Sequence, residues 1–237
     1  MPSGHIVSAF EEELQFLSRR LAAMGGQAER LVEQAVAALV NGDPVLAQKV
    51  IRDDLLLDEA QREIDDKAIS IIARRQPMAR DLREIIGSIR ITADLERVGD
   101  LGKNLAKRVN AVAEGRQPAS LFRGLEALAE LALAQLKEVL DVFASRSVER
   151  IGFVRDRDEE IDAMYTSLFR ELLTYMMEDP RNITPCTHLL FCAKNIERIG
   201  DHATNIAETI YYMVTGDQMP PERPKEDKSH RVTLNQS

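Results

Sequence analysis

Tryptophan is absent from the 237 residues, aromatic residues make up only 5%, and there are two cysteines. So few rings argue against a β-sandwich or barrel and favour helices packed on helices. Cys186 and Cys192 cannot build a disulfide framework, and their six-residue interval is not a zinc-ligand spacing. A reducing compartment follows. The longest purely apolar run, Ala35 to Val40, falls far below the roughly 20 residues that span a bilayer. No basic-then-apolar leader opens the chain, because Glu11, Glu12 and Glu13 arrive too early for one. These absences predict a soluble, cytoplasmic protein. Positive charge is also in short supply: 31 Lys and Arg face 39 Asp and Glu, for a net charge of −8. A general nucleic-acid binder draws on a basic face, so nucleic acid is not an expected partner.

What is present is helical material. The apolar fraction of 44% and charged fraction of 30% are enough for a real core. Ala, Leu, Ile, Glu and Arg dominate, and no stretch alternates convincingly with period two. Breaks fall at Asn41-Gly42-Asp43-Pro44, Gln76-Pro77, Glu114 to Pro118, Ser145-Arg146-Ser147, Asp179-Pro180 through Thr184-Pro185, and Thr215-Gly216. Asp43 suits a cap with Pro44 at the first helical position, and Thr184 suits a cap before Pro185. The breaks predict six long helices over 6–41, 44–76, 80–114, 119–145, 148–178 and 185–215. A helix of about 30 residues is about 45 Å long, so an elongated antiparallel bundle is expected. Residues 216–237, with Pro220, Pro221 and Pro224 among mixed charges, read as a mobile polar tail.

The two halves repeat each other. Leu95-Glu96-Arg97-Val98-Gly99-Asp100 matches Ile196-Glu197-Arg198-Ile199-Gly200-Asp201 at an offset of 101. Leu95, Val98, Gly102, Leu105 and Val109 step by 3 and 4, as do Ile196, Ile199, Ala203, Ile206 and Ile210. That is coiled-coil spacing. One helix earlier, Ile64-Asp65 resembles Ile161-Asp162. The fold class is therefore all-α, with two tandem, duplicated three-helix bundles over 1–115 and 119–215.

Glu96/Asp100 and Glu197/Asp201 lie four apart, so each pair shares a helix face. Like charges at this spacing destabilise an isolated helix by a few tenths of a kcal/mol, so something positive is expected to face them. Asp158 and Asp162 form a third such pair, and Gln61 with Asp65 is the expected counterpart. In an antiparallel hairpin, facing residues have the turn midway between them in sequence. Asp158 with Asp201, and Asp162 with Glu197, both centre on 179.5, at the Asp179-Pro180 break. Gln61 with Asp100, and Asp65 with Glu96, centre on 80.5, near the Pro77 turn. The result is four carboxylates in one half, and three with an amide in the other. Such an all-oxygen set suits Mg²⁺, Mn²⁺ or Fe. The competing reading has Arg97 and Arg198 neutralise the acids in salt-bridge networks.

Gly99 and Gly200 either leave room beside the acids or let helices approach closely, and Gly25-Gly26 invites the close-approach reading. His202 projects about 140° from Glu197 and is not expected as a ligand. No histidine follows a glutamate by three, as di-iron bundles require, and no phosphate loop, nucleophile elbow or Cys/His dyad appears. No reaction and no organic cofactor are indicated. The alternative is a metal-dependent enzyme or metal-storage bundle built on the same acids.

The chain resembles the PhoU family of bacterial phosphate-signalling regulators from His5 to about Val214. The stretches that carry the resemblance are Met24-Gly25-Gly26, Ile71 to Pro77 with Asp81-Leu82-Arg83, Glu96 to Asp100, Thr174 to Asp179, and Ile196 to Asp201. The resemblance implies a usually dimeric negative regulator of the phosphate-starvation response. Its partners would be the ATP-binding subunit of the phosphate ABC transporter and a sensor histidine kinase. It also implies metal clusters on acid-x-x-x-acid motifs in some members. Here those are Glu96/Asp100, Asp158/Asp162 and Glu197/Asp201, with Asp65 the remaining acid where Gln61 departs from the pattern. The hairpin ends, with Arg75, Tyr175 and Glu178, read either as partner contacts or as turn and capping residues.

Overall fold

The computed structural model describes residues 3–113 and 119–220, and every regular element among them is helical. The helices are α1 (Ser3–Asn41), α2 (Pro44–Asp53), α3 (Leu55–Arg75), α4 (Ala79–Ala106), α5 (Val109–Ala113), α6 (Ala119–Ser145), α7 (Ile151–Glu178) and α8 (Ile183–Thr215). Two interruptions escaped the sequence pattern. The expected second helix is broken at Asp54 into α2 and α3, and the third ends at Ala106 before the short α5.

Most of the punctuation holds. Asp43 Oδ1 accepts from the amides of Val45 and Leu46 at 2.9 and 3.0 Å, with Pro44 behind it. Gln76 ends α3 in the left-handed region at φ 49°, and Gly216 ends α8 at φ 86°. The entry to α8 differs from expectation. Asp179, not Thr184, caps there: its carboxylate accepts from the Arg181 amide at 2.9 Å. A single 3₁₀ turn, Pro180–Asn182, follows and leads straight into α8. Pro185 thus lies in the first turn of α8, where its missing N–H leaves nothing unpaired. The break over 114–118 and the tail beyond 220 fall outside the described residues.

α1, α2/α3 and α4 form one bundle, and α6, α7 and α8 the other. Every seam residue named above is buried, from Leu95 to Leu105 on α4 with Val109 on α5, and from Ile196 to Ile210 on α8. Burial of each large aliphatic side chain stabilises by roughly 1.5–3 kcal/mol. The bundles are not separate bodies, because one core runs through both. α4 packs against α8, and α1 approaches α6 so closely that a Cβ on Gly25 would lie 2.4 Å from Leu140. Close approach is thus what Gly25 provides.

Two contacts fix the direction of the α4–α8 pair. His202 Nδ1 lies 2.8 Å from Asp94 Oδ1, and His188 Nδ1 lies 3.1 Å from an Arg108 guanidinium nitrogen. One antiparallel register satisfies both. Extended inward, it sets Glu96 to Asp100 level with Gly200 to Ile196. The matched hexapeptides therefore cross at the middle of the molecule, with the α3–α4 and α7–α8 turns at opposite ends.

Candidate metal-binding acidic hairpins

The hairpin α7–α8 brings together the acids expected there. Glu197 is 4% exposed, and the charges acting on it include those of Asp162 and Asp201. Its Oε1 accepts from Lys194 Nζ at 2.7 Å, while its buried Oε2 has no hydrogen-bond partner. Burial pushes the Glu197 carboxyl up to about 7; Lys194 pulls against this, and Asp201 and Asp162 add to it. Asp158, 3% exposed, turns to the interior instead, where Oδ1 accepts from Thr204 Oγ1 at 3.0 Å and from Gln135 Nε2 at 3.4 Å. Gln135 also reaches Thr204 Oγ1 and the carbonyl of Val154. A buried polar trio therefore backs the second cluster.

The first hairpin is built differently from expectation. The acid that acts on Glu96 from the facing helix is Asp58, and the acid beside Asp100 is Asp54. These pairs centre on residue 77, in the middle of the Gln76–Met78 turn. Asp65, expected opposite Glu96, lies seven residues further along α3, about 10 Å away along the helix. Its buried Oδ1 lacks a hydrogen-bond partner, and burial with the neighbouring charge of Asp66 raises its pKa. The counterpart of Asp158/Asp162 is thus Asp54/Asp58, an intact acid-x-x-x-acid pair, and Gln61 is not part of the motif. The glycines agree. A Cβ on Gly99 would strike Leu57 and Asp54, and one on Gly200 would meet Ile161, the residue that corresponds to Leu57.

The first cluster already holds cations. Lys103 Nζ donates to Asp100 Oδ1 at 2.6 Å and, across the hairpin, to Asp54 Oδ2. Arg97 lies 3.2 Å from Asp100 and 3.5 Å from Glu96. Burial opposes the charge on Lys103, but its hydrogen bonds to Asp100 and Asp54 prevail and raise its pKa. Against burial, Lys103 and Arg97 hold Asp100 below the usual carboxylate range. Burial and the charge of Asp100 raise Glu96, against Arg97. Burial also raises Asp54 despite Lys103.

Among the described residues, no three His, Cys, Asp or Glu side chains converge closely enough to hold an ion as they stand. The second cluster nevertheless has the chemistry for a hard cation, an orphaned Glu197 oxygen with Asp162 and Asp201 beside it. In the first, Lys103 stands among the donors. His202 turns to Asp94 across the bundle interface, away from the acids of its own motif. Asn205 reaches the same Asp94 oxygen at 3.5 Å.

The residues expected at a partner face divide between the two ends of the molecule. Arg75 Nε bonds Glu13 Oε2 at 2.9 Å, within a cluster that includes Lys67 and Arg74. Tyr175 is half-buried and its carbonyl accepts from Asn182 at 3.1 Å, while Glu178 is exposed at the end of α7. A partner touching both turns must span the α4–α8 pair, about 55 Å.

A family model described as the PhoU domain matches twice, over residues 21–109 and 125–210. The chain belongs to the PhoU family. It is 73% identical over 227 residues to a phosphate-specific transport system accessory protein PhoU homolog of Rhizobium meliloti (strain 1021), covering 96% of each chain. A Caulobacter vibrioides homologue of the same name is 48% identical over 94% of this chain and 97% of its own. The crystal structure of PhoU from Pseudomonas aeruginosa superposes with a TM-score of 0.84 at 38% identity, covering 88% of this chain and 100% of that one. The phosphate transport system regulatory protein PhoU of Streptococcus pneumoniae gives 0.82 at 28% identity, over 89% and 99%. Among the described residues, no helix is long and apolar enough to cross a membrane.

Proposed function

We propose that this chain is a non-catalytic accessory regulator of a phosphate-specific transport system, acting to hold the phosphate-starvation response off when phosphate is plentiful. The observation that carries the reading is the 73% identity, over 96% of both chains, to a protein named for that accessory role. On this reading the chain, as a cytoplasmic homodimer, links the transporter's ATP-binding subunit to a sensor histidine kinase. A single core running through both bundles suits a stiff adaptor. Signalling then requires that it bind the partners' states unequally, because a ligand that binds two states equally shifts nothing. Deleting the protein and following a phosphate-starvation reporter in phosphate-rich medium tests the role. Constitutive expression is expected, and undisturbed repression rejects it.

The same reading assigns a hard cation, Fe, Mn or Mg, to the second hairpin, with Asp162, Glu197 and Asp201 as its ligands and Asp158 holding the wall behind them. When bound, such an ion supplies positive charge that neutralises the crowded carboxylates and ties α7 to α8. The orphaned Glu197 Oε2 supports the assignment. Metal content of protein purified without chelator or affinity metal decides it. Near-stoichiometric metal in the parent, lost when Glu197 and Asp201 become alanine, is the expected result. A folded protein with no metal in either form turns these acids into partner-facing or ion-pairing residues.

A further inference from the structure

Aromatic rings are scarce in this chain, four Tyr and seven Phe, yet three of these eleven meet at one surface cavity. Tyr165 and Phe169 of α7 line it with Thr187, Leu190, Phe191 and Lys194 of α8, around a volume of about 230 Å³. The Tyr165 and Phe169 ring centres lie 6.2 Å apart, and Phe191 is 52% exposed. The fold does not call for these rings. At the offset of 104 that sets Asp54 against Asp158, Tyr165 and Phe169 correspond to Gln61 and Asp65. At the offset of 101 of the matched hexapeptides, Phe191 corresponds to Arg90. The first repeat thus builds the same hairpin with polar side chains at all three positions. An exposed, ring-lined cavity that packing does not require has the character of an anchor pocket for a binding partner.

Charge beside the cavity says what kind of partner fits. Arg108, in the turn between α4 and α5, holds its guanidinium 4.5 Å from the centre of the Phe191 ring. It donates to His188 Nδ1 at 3.1 Å, its Nε has no hydrogen-bond partner, and no carboxylate among the described residues bonds it. Lys194, one turn along α8, lies 5.1 Å from the Tyr165 ring centre and donates to Glu197 at 2.7 Å. The cation open to an incoming carboxylate is therefore Arg108. We infer that this cavity docks a protein partner through a bulky apolar side chain, Phe, Trp or Leu, with an Asp or Glu close by that pairs with Arg108. The rings bury the apolar anchor, and the guanidinium stacked on Phe191 is already held in place when the carboxylate arrives. The matching face of the first repeat offers Asp65 and Arg90 instead of rings, so this docking belongs to the second half of the chain alone. The inference stands apart from the metal and phosphate readings above, because it uses none of the clustered acids.

Selection of a displayed library of random dodecapeptides on the full-length protein, wild type beside Phe191→Arg, tests the inference. That substitution installs the first repeat's residue at a half-exposed position, and Phe191→Ser takes its place should the arginine variant fail to fold. Peptides that bind wild type and not the variant are expected to share an aromatic or leucine residue within four positions of an acidic one. With a synthetic peptide of that set, fluorescence polarisation is expected to show about tenfold weaker binding to Arg108→Gln. Changing the peptide's acid to its amide should cost a similar factor, and the two changes together little more than either alone. A wild type that selects no peptide beyond those selected by the Phe191 variant overturns the inference. So does a wild-type-specific set without acidic residues, or an Arg108→Gln protein that binds the peptide as tightly as wild type.

Discussion

The two acidic hairpins start from the same Glu-Arg-x-Gly-Asp motif and end in different electrostatic states. In the first, Lys103 and Arg97 sit on Asp54, Asp100 and Glu96, and the acids are largely neutralised from within. In the second, the equivalent of Lys103 is Thr204, and Glu197 is buried among acids with Lys194 as its bonded cation. The cation sits three positions beyond the motif's aspartate in the first hairpin, at Lys103, and three before its glutamate in the second, at Lys194, where one Glu197 oxygen is left without a hydrogen-bond partner. A repeated motif thus does not guarantee a repeated site, because the field at a carboxylate is set by everything packed around it.

The largest test of this contrast removes the two equivalent residues. Lys103→Ala strands the Asp54 carboxylate away from water, and unfolding in denaturant should show a loss of roughly 3 kcal/mol. Thr204→Val removes one neutral hydrogen bond to Asp158 and should cost only about 1 kcal/mol. Equal losses would mean that the two positions are not electrostatically distinct.

Dependence on pH should separate the halves next. Because the folded value of Glu197 lies near 7, above its ordinary 4.5, the fold prefers its neutral form. In chelator-treated protein its contribution to stability is therefore greatest below about 4.5 and falls as pH rises towards 7, by about 3 kcal/mol. Glu197→Gln should flatten that fall and melt higher than wild type at pH 8. Asp100 has the opposite sign, since its folded value is depressed. Its contribution is present at neutral pH and is lost as pH falls through the carboxylate range, so Asp100→Asn should remove an acid-side loss of stability. Melting curves across pH 4–8 read both trends.

The smallest expected difference lies at the helix starts. Asp43 caps α2 with two side-chain hydrogen bonds, whereas Ser147, ahead of the turn into α7, makes no such cap. Asp43→Ala should cost about 1 kcal/mol and Ser147→Ala almost nothing. Both are measurable by thermal melting.

The breaks at Asn41–Pro44 and Gln76–Pro77 announced themselves because Gly, Asp and Pro act on the backbone locally. The interruption at Asp54 carried no such signal. Its residues read as ordinary helix, and the turn there is tied to a side chain that reaches Lys103, 49 residues away. Asp58 and Asp65 show where sequence pattern runs out. They lie seven apart, so a heptad brings both to the same face, and either can be set opposite Glu96 by choosing a different centre for the turn. The choice of 80.5 fell a few residues past the true centre at 77. That displacement moved the register by one heptad and made Gln61 look like a lost ligand.

Apart from the interruptions at Asp54 and after Ala106, the long helices, their duplication and the seam residues were determined by the sequence alone, through helical periodicity and local breaks that need no distant partner. Which heptad faces which, and whether a carboxylate meets an ammonium, a hydroxyl or nothing, was decided only in the tertiary structure. Those outcomes depend on helix register across a hairpin and on burial, and both arise from contacts between residues far apart in the chain.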